Sequence, residues 1–157
     1  MGVPTLEEVL TLPANVFELE LRVDGTEALD AVLAVVDAAG VFDRVKFTGW
    51  NQALLTRLKR QRPSATVGLF SGRPDTSQTP SAHERSVLDA AERSGFDIAH
   101  VAAGSITPSF AGALRALGYG VHAADAATQA HFSAALKSSV DSLTVDDATA
   151  AVAALTA

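Results

Sequence analysis

Six residues in this 157-residue chain combine charge and spacing in a way that could support chemistry: Phe17-Glu18-Leu19-Glu20-Leu21-Arg22. Apolar and charged side chains alternate, which in a strand puts Phe17, Leu19 and Leu21 on one face and Glu18, Glu20 and Arg22 on the other. The charged face cannot lie under a packed helix without a large desolvation cost. In a barrel of parallel strands the inward face becomes wet at the C-terminal mouth, where active sites of that architecture lie. On that reading Glu20 and Arg22 point into a site at the strand ends. An edge strand with a solvated charged face accounts for the same pattern without a site.

Other chemistry-bearing residues each have a plainer explanation. His83 and His131 fall on expected helices, where a solvated face is the simpler reading. His100 and His122 fall within expected strands and either face the interior of a barrel or are hydrogen-bonded core residues. Asp146 and Asp147 are candidate cation ligands, but Asp147 reads equally well as a helix N-cap. Arg57, Lys59, Arg60 and Arg62 crowd the end of a helix, where cations complement its dipole. Gly118-Tyr119-Gly120 lacks the spacing of a dinucleotide fingerprint. No glycine-flanked nucleophile with Ser-His-Asp ordering is present. Trp50, at a strand end, lines the mouth of a site or caps the core.

Composition narrows the partners. Twelve basic against eighteen acidic residues give a net charge of −6, which argues against nucleic acid and leaves a metal or a small cationic group as the better guess. The chain has no cysteine, so zinc–thiolate sites, thiol nucleophiles and disulfides are excluded. No apolar run reaches the ~18 residues of a membrane span, and no basic-then-apolar signal pattern opens the chain; a cytoplasmic location is the default expectation.

The elements that must position these residues alternate strand and helix. Thr5 and Glu8 form a capping box for a short first helix. Strands are expected over 17–22, 44–50, 65–70, 97–103, 119–123 and 140–145. The helices between and after them cover 26–39, 51–61, 83–94, 108–117, 126–136 and 147–155. Ser71-Gly-Arg-Pro-Asp-Thr-Ser-Gln-Thr-Pro-Ser81 reads as loop. Six βα repeats with short connections demand a parallel sheet covered by helices, an α/β fold, and the length suits one domain.

Several stretches resemble the glycerophosphodiester phosphodiesterase family. "VPTLEEVL" followed by "FELELR" is similar to that family's "iPTLeEvL … lnIEiK". "FDRVKFTGWNQALLTRLKRQRPSATVGLF" looks like "dRVvvsSFnpeaLrrLrelnPdiptgLlf", and "VDSLTVDD" looks like "vDgIiTDdP". The resemblance implies a (β/α)8 barrel that hydrolyses small-molecule glycerophosphodiesters in lipid metabolism, with magnesium or calcium held by carboxylates at the mouth. The family's metal-ligating glutamate maps onto Glu20. Its lysine two residues later maps onto Arg22, which keeps the charge and offers a bidentate fork to phosphate. Trp50 falls where the family has a serine-rich turn and is carried as a substrate-lining residue. A hard cation prefers oxygen ligands, and the charge that develops on a reacting phosphodiester needs cationic stabilisation.

The same resemblance sets expectations about what is lacking. The family's acid/base histidines belong to a segment before "PTLEEVL" that has no counterpart here, and six units are legible where a closed barrel has eight. The chain is therefore expected to form one incomplete barrel domain over residues 1–157, an α/β fold of the partial TIM (β/α)8 type representing the third to eighth units, and to turn over little substrate alone; either a second chain completes the barrel, the arc closes on itself, or the fragment has low stability. The family's aromatic before its seventh-strand turn is replaced by Ala124. A non-catalytic remnant that binds anions or a partner is the alternative from another class, and an unrelated α/β domain is the third.

Overall fold

The computed structural model describes residues 2–22, 26–72 and 77–156. It forms two compact units, the first ending at Leu69 and the second beginning at Phe70. Residues 73–76 of the expected loop lie outside the described residues.

The first unit runs α1 (Leu6–Leu10), β1 (Phe17–Glu20), α2 (Thr26–Ala38), β2 (Val45–Gly49), α3 (Gln52–Gln61) and β3 (Thr66–Phe70), whose last residue opens the second unit. The capping box is present in both directions, with Thr5 N–H donating to Glu8 Oε2 at 2.8 Å and Glu8 N–H to Thr5 Oγ1 at 3.2 Å. Asn51 Oδ1 accepts from Leu54 N–H at the start of α3. β1 and β2 pair in parallel with Phe17 opposite Val45 and Glu20 opposite Thr48, and β2 pairs in parallel with β3.

Parallel strands need a crossover between them, and helices here supply it while covering the strand faces. Leu29, Leu33 and Val36 of α2 and Leu54, Leu55 and Leu58 of α3 are buried, as are Val45, Phe47 and Val67 on the strands. Along β1 the pattern splits as the alternation requires: Phe17 and then Leu21 are buried, whereas Glu18 and Glu20 are exposed. Leu21 N–H donates to Thr48 O, so the backbones stay paired just past β1. A Cβ on Gly49 would lie 3.0 Å from Leu21 O, so only glycine lets the strand ends approach this closely.

The basic cluster on α3 has specific partners. Arg57 pairs with Asp30 at 3.1 Å and Arg62 with Asp37 at 2.7 Å, both on α2, and Lys59 Nζ donates to Ala65 O. These contacts tie α3 to its neighbours, a stronger account than the helix dipole alone.

The second unit runs α4 (Pro80–Ser94), β4 (Ile98–Ala102), α5 (Pro108–Ala116), β5 (Gly120–Ala126), α6 (Gln129–Lys137), β6 (Ser142–Val145) and α7 (Ala148–Thr156). β5 pairs in parallel with both β4 and β6. Thr79, Thr107 and Thr128 cap α4, α5 and α6 through their hydroxyls, and Asp147 Oδ1 accepts from Ala150 N–H at the start of α7. The core is small-residue rich: Ala103, Ala123, Ala126, Phe132 and Ala135 are buried together.

Two boundaries differ from the sequence expectation. α4 begins at Pro80 and not at His83, because Thr79-Pro80 is the same N-cap and first-position proline pair that opens α5 at Thr107-Pro108. β5 continues to Ala126 through an irregular pairing between Ala123 and Ala126, so α6 starts three residues later than expected. Within that irregularity Asp125 adopts φ 57°, a left-handed conformation uncommon for a non-glycine residue.

Phe47 is fully buried, so Phe47→Ala is expected to cost about 3–5 kcal/mol. Asn51→Ala, which removes one cap, is expected to cost about 1 kcal/mol. Urea unfolding of the two variants checks this order; a reversed order would contradict the packing described for β2.

Candidate functional site

The charged end of β1 is organised by one ion pair. Arg22 Nε donates to Glu20 Oε1 at 2.7 Å and Arg22 Nη2 donates to Glu20 Oε2 at 3.0 Å. This two-pronged geometry matches the fork of a guanidinium to the two oxygens of a carboxylate. Hydrogen bonding to Glu20, then its negative charge, pushes the Arg22 pKa further up. The Arg22 side chain is 78% exposed against 29% for Glu20, so the guanidinium can leave its partner without breaking any packing. The two residues singled out from the sequence are thus brought together, each as the other's partner.

Trp50 follows Gly49 at the corresponding end of β2 and is 58% exposed. Of the two readings open for it, a core cap is removed by that exposure. Glu20 lies opposite Thr48 at the end of the paired register, and Arg22 and Trp50 each follow the paired strand ends.

Glu18 shares the charged face and was not singled out by sequence reasoning, though its spacing of two from Glu20 was the available signal. Partial burial raises its pKa, Lys46 and the Thr48 hydroxyl pull it back down, and the negative charge of Glu20 adds to the rise. This end of β1 therefore holds two carboxylates that sense each other.

The histidines divide differently. His100 and His122 are register partners on β4 and β5, both buried, with ring centroids 4.3 Å apart. His122 bonds Ser142 Oγ through Nδ1 and Thr144 Oγ1 through Nε2, each at 2.7 Å. Phe70 packs on His100 at 4.6 Å. His122 is thus buried with both ring nitrogens hydrogen-bonded.

His83 corrects the expectation of a solvated helix face, because it is only 4% exposed. The i, i+4, i+8 positions His83, Val87 and Ala91 form the buried stripe of α4. Its Nε2 has no hydrogen-bond partner among the described residues. Burial lowers the His83 pKa, with neighbouring Glu84 opposing. Half-buried His131 accepts a hydrogen bond at Nδ1 from Ala127 N–H at 3.3 Å. Ala124 is buried, Asp146 is exposed, and Asp147 is the N-cap of α7.

Opposite pH responses follow from the two shifted groups. His83 has a lowered folded-state pKa, so below 6.5 the unfolded chain takes up the proton first and stability falls as the pH drops. Glu18 has a raised folded-state pKa, so its contribution is present below 4.5 and is lost as the pH rises through the raised value. Thermal unfolding across pH 4–8 is expected to show a weaker acid decline in His83→Leu than in the parent, and a gain at pH 7 in Glu18→Gln. Parallel pH profiles for parent and His83→Leu would contradict the burial of His83.

Family models and curated proteins give no match to the chain. Solved structures do. A chain from Agrobacterium tumefaciens assigned as a glycerophosphoryl diester phosphodiesterase aligns with TM-score 0.79 and 21% identity, covering 98% of this chain and 64% of that one. One from Silicibacter pomeroyi with the same assignment aligns at TM-score 0.75 and 21% identity, over 90% of this chain and 50% of that one. A glycerophosphodiester phosphodiesterase from Parabacteroides distasonis aligns at TM-score 0.66 and 16% identity, over 90% of this chain and 56% of that one. The chain spans about half to two-thirds of the length of these structures. Motif resemblance and likeness of fold meet on one family: the chain has the α/β fold, a partial (β/α)8-type barrel, of the glycerophosphodiester phosphodiesterases.

Proposed function

We propose that this chain is a glycerophosphodiester phosphodiesterase-type domain that contributes the phosphate- and cation-binding side of a metal-assisted phosphodiester hydrolysis. The observation that carries the reading is the Glu20–Arg22 pair at the C-terminal end of β1, the end where sites of this fold lie. The roles are Glu20 as ligand of magnesium or calcium, Arg22 as donor to the phosphate, and Trp50 as a wall against the substrate.

The residues present fit a hard divalent cation. Glu18 and Glu20 are oxygen donors on one face of β1, and the charge of Glu20 contributes to the raised pKa of Glu18; a cation would relieve that repulsion. The Arg22 guanidinium already occupies the Glu20 carboxylate as a stand-in cation. A bound divalent ion supplies charge neutralisation on the phosphate oxygens. Arg22 then exchanges one anionic partner for another, turning its fork from the carboxylate to the phosphodiester, a movement its exposure permits.

Acid/base chemistry is not part of what we assign to these residues. His122 has both ring nitrogens bonded to hydroxyls and His83 is buried. This favours a second reading, in which the chain binds anions without turning them over. A further chain adding a strand at β6 belongs to the first reading. β6 is paired with β5, and beside it a groove of about 430 Å³ is lined by Leu136, Val140, Leu143, Val145, Ala151 and Val152. No helix among the described residues is long and apolar enough to cross a membrane, and the reading keeps a cytoplasmic setting.

Calorimetry with glycerol 3-phosphate in magnesium tests the binding roles. Glu20→Gln and Arg22→Ala are each expected to weaken binding about tenfold, since a charge-assisted hydrogen bond is lost; unchanged affinity in both would remove β1 from the site. Release of glycerol 3-phosphate from glycerophosphocholine separates the two readings. Release that stops in Glu20→Gln supports hydrolysis, and binding without release supports the anion-binding module.

A further inference from the structure

We infer that β6 pairs with β6 of a second copy of this chain, antiparallel and about a two-fold axis, so that the two sheets join edge to edge. The inference names the chain that the first reading leaves unspecified at this edge; it rests on that reading for the addition of a strand, and on α6, β6 and α7 for the identity of that strand.

The first observation is the edge itself. Among the described residues β6 has a strand neighbour on one side only, β5. The other side of such a strand offers main-chain donors and acceptors to any strand that approaches. Edges are commonly blunted by proline, by charged side chains or by a bulge. β6 reads Ser-Leu-Thr-Val, with neither proline nor charge, and the irregularity in its ladder lies on the β5 side.

The second observation is what flanks that edge. Leu143 and Val145 of β6, Leu136 of α6 and Val152 of α7 line the groove of about 430 Å³ beside the strand. Leu136 is 44% exposed and Val152 58%. α7 has no charged residue over Ala148–Thr156, although only one side of it, through Ala150, Ala151 and Ala154, packs on the small-residue core. Helices that lack a charged face are characteristic of buried positions.

Charge selects the occupant. Exposed Lys137 ends α6 at the N-terminal end of β6, and exposed Asp146 follows the C-terminal end. Neither is in an ion pair among the described residues. Arg115, whose guanidinium donates to Ser138 O and Ser139 O, adds positive charge at the first end. Asp147 adds negative charge at the second, whereas Asp141 is engaged at 2.7 Å by the Val121 N–H. The edge therefore runs from positive through apolar to negative. A copy laid alongside in parallel sets like charges together. An antiparallel copy sets Lys137 of each chain towards Asp146 of the other, which overcomes at this face the general repulsion between chains of net charge −6. A contact of this symmetry closes after two copies and does not propagate.

Analytical ultracentrifugation of the full chain, without substrate, tests the inference. A dimer in concentration-dependent exchange with monomer is expected. Leu136→Glu is expected to weaken dimerisation about tenfold or more by placing a charge in the groove. Lys137→Glu and Asp146→Lys each turn attraction into repulsion at both ends of the contact; each is expected to weaken it about tenfold, and the double variant is expected to restore the parent value. All three side chains are exposed, so circular dichroism is expected to show the parent fold throughout. A chain that stays monomeric at about 100 μM would overturn the inference. So would a dimer that neither reversal weakens, a double variant as weak as the single ones, or oligomers that keep growing with concentration. Failure of the phosphodiesterase reading looks different: the Glu20 and Arg22 variants would then bind glycerol 3-phosphate like the parent while the dimer and its charge-swap rescue persisted.

Discussion

A parallel strand pair cannot be closed by a tight turn, and the fold of each unit follows from meeting that constraint twice, at β1–β2 and β2–β3 in the first and at β4–β5 and β5–β6 in the second. Each strand must hand the chain to a helix that carries it back, so strand C-termini and helix N-termini collect at the same end of each βα unit. The caps show how closely the sequence respects this. Asn51, Thr79, Thr107, Thr128 and Asp147 each open the helix after a strand with a side-chain acceptor. Residues that need to be both polar and precisely held therefore belong at that end, because β2, β4 and β5 are largely buried along their lengths.

The charged face of β1 gains its meaning from this constraint. Phe47 on the neighbouring strand is fully buried, and the apolar face of β1 joins the same unit's core through Phe17 and Leu21. Glu18, Glu20 and Arg22 are thereby fixed on the other face. A carboxylate pair with one guanidinium is a poor stabilising device at this exposure, since solvent screens it. The binding role proposed for it suits it better, because the cation already present can be traded for another partner at little cost in packing.

Much of this was legible in the residues themselves. All six strands and the helices after them followed from period-two and period-3.6 patterns with capping signals, and the alternation of FELELR correctly separated buried from exposed side chains. The misplaced start of α4 reflects a repeated Thr-Pro signal hidden in a polar stretch. The extra length of β5 could not be read, because it depends on the irregular pairing with β6, a tertiary fact. Glu20 and Arg22 were found because charge interrupts an apolar pattern. The surroundings of His83 and His131 were not, since a lone histidine on a helix carries no local mark of burial or of the loop it touches.

Paramagnetic line broadening by manganese, a probe for magnesium-type oxygen sites, tests most directly the proposal that the β1 end is a cation and phosphate site. Amide spectra of the chain titrated with substoichiometric Mn²⁺ are expected to lose intensity first at residues 18–22 and 46–50, with Mg²⁺ reversing the loss. Broadening confined to other acidic positions, such as Asp146 and Asp147, with residues 18–22 unaffected, would contradict it.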